Sequence, residues 1–188
     1  MGIEVELKAW VDDHRSLLEQ LQRLGAPRRS YTKEDWYFGP SADLESARYR
    51  LRRDGDAWIA TFKDKRIYDG IEENTETEFT VSDGAAYRRL LHSLGLKAVI
   101  AKRKEGHSYI VDGVLVEVSR VEHLGWFVEL ELILPEEASR EEIGGARDRL
   151  MELLRQLSIS PSKIEPRSYN QMIHAQLSGI DGTPRSPV

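Results

Sequence analysis

Strand after strand of this sequence alternates apolar residues with full charges, and the charges on most strands carry a single sign. In segment 3–10, Ile3, Val5, Leu7 and Ala9 share one face while Glu4, Glu6 and Lys8 share the other, because successive side chains in a strand point to opposite sides. The same alternation sets out Arg48, Arg50 and Arg52, then Lys63 and Lys65, then Glu76 and Glu78. It continues with Lys102 and Lys104, Glu117, and finally Glu129 and Glu131. On any one strand this would fit an antiparallel sheet with one face in solvent. A solvated face, however, mixes Ser, Thr and Gln with charges of both signs, whereas here carboxylate pairs and cation pairs occupy separate strands. A sheet rolled with its charged faces inward and its apolar faces under helices accounts for that segregation, giving a polar tunnel rather than a filled core.

The helices needed to cover such a sheet are legible. Asp12 and Asp13 open a stretch with Leu17, Leu18, Leu21 and Leu24 at helical spacing, and Gly25 is expected to close it as a C-cap. Strand Glu76–Val81 leads through Ser82 and Asp83 into a helix bearing Tyr87, Leu90, Leu91 and Leu94 before Gly95. Strand Val128–Leu134 precedes a helix from Ser139 to Leu157, where Ser139 and Glu142 have capping-box spacing. Further strands are predicted at Tyr49–Arg53, Ala57–Lys65, from His107 or Ser108 to Val111, and at Val114–Ser119, with hairpin turns at Asp54-Gly55-Asp56 and Asp112-Gly113. A last short helix spans Ser168–Gln176. The reading is therefore one domain over residues 1–176 and a flexible tail over 177–188, where small and turn residues lack periodicity.

Composition removes several function classes. A net charge of −5 argues against nucleic acid as a partner, since backbone affinity needs a clustered excess of Lys and Arg. The absence of Cys excludes thiolate chemistry and disulfides and fits a reducing compartment, so a cytoplasmic location is expected. No apolar run approaches a membrane span, and the N-terminus does not read as a signal peptide. The five His residues show no metal-ligand spacing, and the four Trp read as packing residues, with Trp126 considered as a surface for stacking an adenine or thiazole ring. What remains is the charge pattern itself. Carboxylates are hard ligands suited to Mg²⁺ or Mn²⁺, which bridge phosphate oxygens, while Arg forks and Lys ammonium groups neutralise the remaining phosphate charge.

At EVELK, residues 4–8, the chain resembles the ExExK signature of the CYTH superfamily, the triphosphate tunnel metalloenzymes, which include class IV adenylyl cyclases and thiamine or inorganic triphosphatases. KEDWYF (33–38), YRLRR (49–53), TFK (61–63) and ETE (76–78) are similar to the strands that follow in that family. HLGWFVELE (123–131) and EPRSYNQMI (165–173) are similar to its last strand and C-terminal helix, and bring the chain nearest the class IV cyclase-like branch. The resemblance implies an α+β fold: an eight-stranded antiparallel β-barrel, the triphosphate tunnel, with helices packed outside. It implies a metal site at Glu4, Glu6, Glu129 and Glu131, with Lys8 joining Glu4 and Glu6 as catalytic residues. Lys8, Arg50, Arg52, Lys63, Lys102 and Lys104 would bind the triphosphate, supported by Glu76, Glu78 and Glu117.

Three departures from the family pattern bear on the reaction. Ser119 stands where an Asp is usual, with Glu117 two residues earlier; KRKEGHSY leaves Lys102 and Lys104 competing for one role; and Trp126 replaces a common acidic residue near the tunnel mouth. The expected substrate is a small-molecule triphosphate, namely ATP, tripolyphosphate or thiamine triphosphate. Cyclisation of ATP to cyclic AMP and pyrophosphate is the first expectation and hydrolysis to orthophosphate the alternative. A non-catalytic nucleotide-binding module is the reading from another class, and a homodimer would suit the cyclase branch.

Overall fold

The computed structural model describes the backbone of residues 2–68 and 71–179, and the side chains of these except 63–68 and 71–76. Eight strands appear: β1 (Ile3–Trp10), β2 (Ala26–Gly39), β3 (Tyr49–Asp54), β4 (Ala57–Tyr68), β5 (Ile71–Val81), β6 (Lys97–Val111), β7 (Val114–Val121) and β8 (Gly125–Leu134). Four helices accompany them: α1 (His14–Leu24), α2 (Gly84–Ser93), α3 (Arg140–Gln156) and α4 (Tyr169–Leu177). The strands form one eight-stranded sheet in the order β1-β8-β7-β6-β2-β3-β4-β5. The fold is the expected α+β tunnel type, and each β1–β8, β7–β8, β2–β3, β3–β4 and β4–β5 pair is antiparallel. None of the described helices is long and apolar enough to cross a membrane. The chain divides into two compact units, one of Met1–Tyr31 with Glu105–Arg167 and one of Thr32–Lys104 with Ser168–Val188.

In the first unit, Val5, Ala9, Val116, Val118, Val128 and Leu130 form the apolar side of β1, β8 and β7, and Leu17 and Leu21 of α1 and Leu150 and Leu154 of α3 join them in one core. Each fully buried Val or Leu among them contributes about 1.5–3 kcal/mol relative to exposure. α1 starts where Asp13 accepts hydrogen bonds from the Arg15 and Ser16 amides, and α3 starts with the full Ser139–Glu142 capping box. The β6–β7 hairpin turns on Asp112 and Gly113, both at positive φ (49° and 79°), the geometry of a two-residue primed turn. Gly25 does close α1, but with an extended backbone (φ −139°) instead of the left-handed cap. A Cβ there would lie 2.7 Å from the Ile110 carbonyl oxygen, so close approach to β6 is what requires glycine.

In the second unit, α2 covers a smaller core of Phe38, Leu51 and Leu91, ringed by Trp36 and Trp58, whose rings stack at 5.6 Å. The helix-face leucines are not all core residues: Leu24, Leu90 and Leu94 are at least half exposed. β2 and β6 are much longer than the sequence pattern shows. Residues 26–30 are all exposed, and on β6 the exposed Arg103 and Glu105 flank the buried Lys104, so neither strand keeps an apolar face along its whole length.

Candidate functional site

The first unit carries a row of carboxylates on the face of β1, β8 and β7 opposite its core. Strand register fixes the row: Glu6 lies directly across from Glu131, and Glu129 is flanked by Lys8 on β1 and Glu117 on β7. Leu115 faces Glu131 from the other side. Burial raises the Glu131 carboxyl, and the neighbouring Glu4, with which it shares a hydrogen bond, together with Glu6 and Glu117, pushes it further, to about 8. Four carboxylates therefore influence one another closely enough that one retains its proton near neutrality. Among the described residues no three carboxylate or imidazole side chains form a ready-made metal cage. The donor set nonetheless suits Mg²⁺ or Mn²⁺ in kind: such ions are usually held by one or two carboxylates together with phosphate and water oxygens, and a cation would relieve the crowding at Glu131.

The row is bounded by further polar structure. The Tyr31 hydroxyl donates to Glu117 Oε2 at 3.0 Å. The Lys8 ammonium donates to the Arg167 carbonyl. That carbonyl is positioned by a short strap, in which Ala9 bridges Ile164 and the Glu165 amide donates to the Lys8 carbonyl at 2.8 Å. Glu165 accepts the Trp10 indole N–H (3.2 Å) and the Nε–H and Nη2–H of one edge of the Arg167 guanidinium (3.0 and 2.8 Å). These bonds outweigh burial and hold its carboxyl down at about 2. Trp10 packs on Phe127 at 4.1 Å at the end of the row. Ser119, opposite Phe127 in register, is fully buried with no hydrogen-bond partner for Oγ among the described residues.

Trp126 is not on this face. It alternates with Phe127, Glu129 and Glu131, shares the side of Val128 and Leu130, and stacks on His14 at 3.9 Å with the rings 3° from parallel. A base-stacking role on the carboxylate face is thereby excluded by strand parity. His92 meets the edge of Phe38, and His107 Nδ1 shares a 2.9 Å hydrogen bond with Ser30.

The second unit carries the cations. Tyr37, Arg50, Thr61 and Glu78 are successive partners across β2, β3, β4 and β5. Arg50 Nη2 donates to Thr61 Oγ1 at 2.9 Å and to Glu78 Oε2 at 3.4 Å, so Glu78 steadies a guanidinium. One row along, Asp35 and Arg52 are register partners joined in a fork, Nε–Oδ1 2.7 Å and Nη2–Oδ2 2.9 Å. Lys102 Nζ reaches the same carboxylate at 3.1 Å and lies 5.7 and 5.1 Å from the ring centres of Tyr37 and Tyr169. Burial would raise the Asp35 carboxyl; Lys102, Arg52 and Arg50 together reverse that and hold it far below the usual carboxylate range. Lys104 is buried two residues along β6 from Lys102, on the same side of the strand, so the two lysines do not exclude one another. Lys63 and Glu76 are register partners on β4 and β5; their side chains, with those of Lys65 and Arg66, lie outside the described residues. So do residues 180–188 of the expected tail.

Asp35, Lys33, Glu165 and Arg167 are the polar residues that sequence reasoning left out. A signal existed for the first two: in KEDWYF, Lys33, Asp35 and Tyr37 alternate with Trp36 and Phe38, and all three are buried. Glu165 and Arg167 had no periodic strand to mark them, because they sit on an irregular strap.

The CYTH domain profile matches residues 2–169. The chain is 29% identical over 174 residues to the protein named "Putative adenylate cyclase MJ0240" of Methanocaldococcus jannaschii, covering 90% of this chain and 98% of that one. The PH1819 protein of Pyrococcus horikoshii has a solved structure that is 29% identical, with a TM-score of 0.76 and coverage of 92% and 99%. An adenylyl cyclase-like protein of Hippeastrum, HpAC1, described as having a dominant triphosphatase activity, shares the fold at 17% identity and a TM-score of 0.61, covering 95% and 96%.

Proposed function

Because this chain belongs to the CYTH domain family, whose members process triphosphates, we propose that it is a divalent-metal-dependent enzyme acting on a triphosphate, first of all a class IV-type adenylyl cyclase converting ATP to cyclic AMP and pyrophosphate. The observation that carries the metal dependence is the gathering of Glu4, Glu6 and Glu117 around Glu131, whose carboxyl burial first and these neighbours next raise to about 8. A row in that state gains from a cation. The cyclase reading draws on the name of the Methanocaldococcus relative, which matches this chain over nine-tenths of its length.

Glu4, Glu6, Glu129 and Glu131 would hold Mg²⁺ or Mn²⁺. Bound there, the ion would lower the pKa of the attacking hydroxyl and draw charge from the phosphate oxygens. Arg50, Arg52, Lys63, Lys102 and Lys104 would neutralise the polyphosphate, and Lys8, in register with Glu129, would steady the charge that develops on phosphate oxygens. In cyclisation the ribose 3′-hydroxyl attacks the α-phosphorus and pyrophosphate leaves. In hydrolysis water attacks the γ-phosphorus and orthophosphate leaves. The placement of Trp126 on the apolar face favours the second reading, since it removes the one aromatic residue singled out as a base platform.

Phosphorus NMR of the protein with Mg²⁺ or Mn²⁺ and, separately, ATP, tripolyphosphate and thiamine triphosphate tests this. Cyclic AMP with pyrophosphate supports the cyclase; orthophosphate from any of the three makes it a triphosphatase. Saturable binding without product would overturn both in favour of a binding module.

A further inference from the structure

Asp35 is 1% exposed, yet it is charged, and the cations around it come from two different strands: Arg52 on β3 and Lys102 on β6. A buried carboxylate is costly unless its partners satisfy it, and here they do so with good geometry. Two guanidinium bonds, one ammonium and the Tyr37 hydroxyl at 3.4 Å converge on its two oxygens. The Nε–Nη2 edge of Arg52 is thereby engaged, and the plane of its guanidinium is set before any phosphate arrives. Lys102 is fixed equally, its ammonium between the carboxylate and the rings of Tyr37 and Tyr169.

We propose that Asp35 is a positioning residue that preassembles Arg52 and Lys102 for phosphate. The inference rests on the reading that these two cations contact the triphosphate. It makes a prediction whose sign separates it from plain electrostatics. Removing a negative charge beside an anion site strengthens Coulomb attraction and tightens binding. Removing a positioning group frees two long side chains, which must then be ordered at the moment of binding, and weakens it.

Titration calorimetry of the full chain with tripolyphosphate, for wild type, Asp35→Asn, Arg52→Gln and the double variant, reads this directly. Asp35→Asn is expected to weaken tripolyphosphate binding by about tenfold; in the double variant only the ordering of Lys102 still depends on Asp35, so its loss should be smaller than the product of the two single losses. Unchanged or tighter binding by Asp35→Asn, or fully additive losses, would overturn the proposal. Wild-type affinity in Arg52→Gln would instead sink the reading that Arg52 contacts the triphosphate.

A second measurement needs no variant. The Arg52 Nε–H, held by Asp35, should give a sharp, slowly exchanging NMR resonance in the ligand-free protein and keep it when tripolyphosphate is added. A resonance that sharpens only on addition of tripolyphosphate contradicts preassembly.

Discussion

Glu131 concentrates the energetic consequences of the carboxylate row. Its side chain is pressed by Glu4, Glu6 and Glu117, so Glu131→Gln should raise the melting temperature of the metal-free protein while abolishing the rise that Mn²⁺ produces in wild type. Scanning calorimetry with and without Mn²⁺ reads both effects. Glu165 acts in the opposite direction. Its carboxyl titrates at about 2 in the folded chain against 4.5 ordinarily, so the unfolded chain binds the proton more tightly. The stability it contributes is present above pH 4.5 and is lost as the pH falls toward 2. Denaturant titrations from pH 6 to 2 should show that Glu165→Gln flattens this acid limb; an unchanged limb would place the titration elsewhere. Asp35→Ala, which strands Arg52 and Lys102 in a buried site, should cost about 3–5 kcal/mol in the same experiment.

The elements that were legible are those where one physical signal dominated. β1 and β8 keep an apolar face against the core from end to end, and α3 announces itself with Ser139 and Glu142. Ser139→Ala should therefore cost about 1 kcal/mol, measured by chemical denaturation, with the Glu142 amide then lacking its cap. β2 and β6 were read short because the first part of each strand does not keep an apolar face buried, so alternation fades there although both strands belong to the sheet. Gly25 closes α1 as read, but what requires glycine there is a close approach from β6, a tertiary contact that local sequence does not encode. Trp126 is a different case, because its side of β8 follows from alternation with Glu129 and Glu131, a parity already present in the sequence.

On the scale of the molecule, the segregation of charge by strand in the sequence reappears as separate rows: carboxylates on β1, β8 and β7 in one unit, cations on β3 and β6 in the other. Glu78, which steadies Arg50, was legible from its alternating strand, whereas Asp35 and the strap that holds Lys8 were less visible, because their importance comes from partners far away in sequence. The claim common to all of this is that the carboxylate row serves divalent metal in triphosphate turnover. Steady-state product release by Glu6→Gln in Mg²⁺ or Mn²⁺, with circular dichroism to follow the fold, tests it most directly. The account predicts a loss on the order of a hundred- to a thousandfold with the fold intact; full activity in that variant would contradict it.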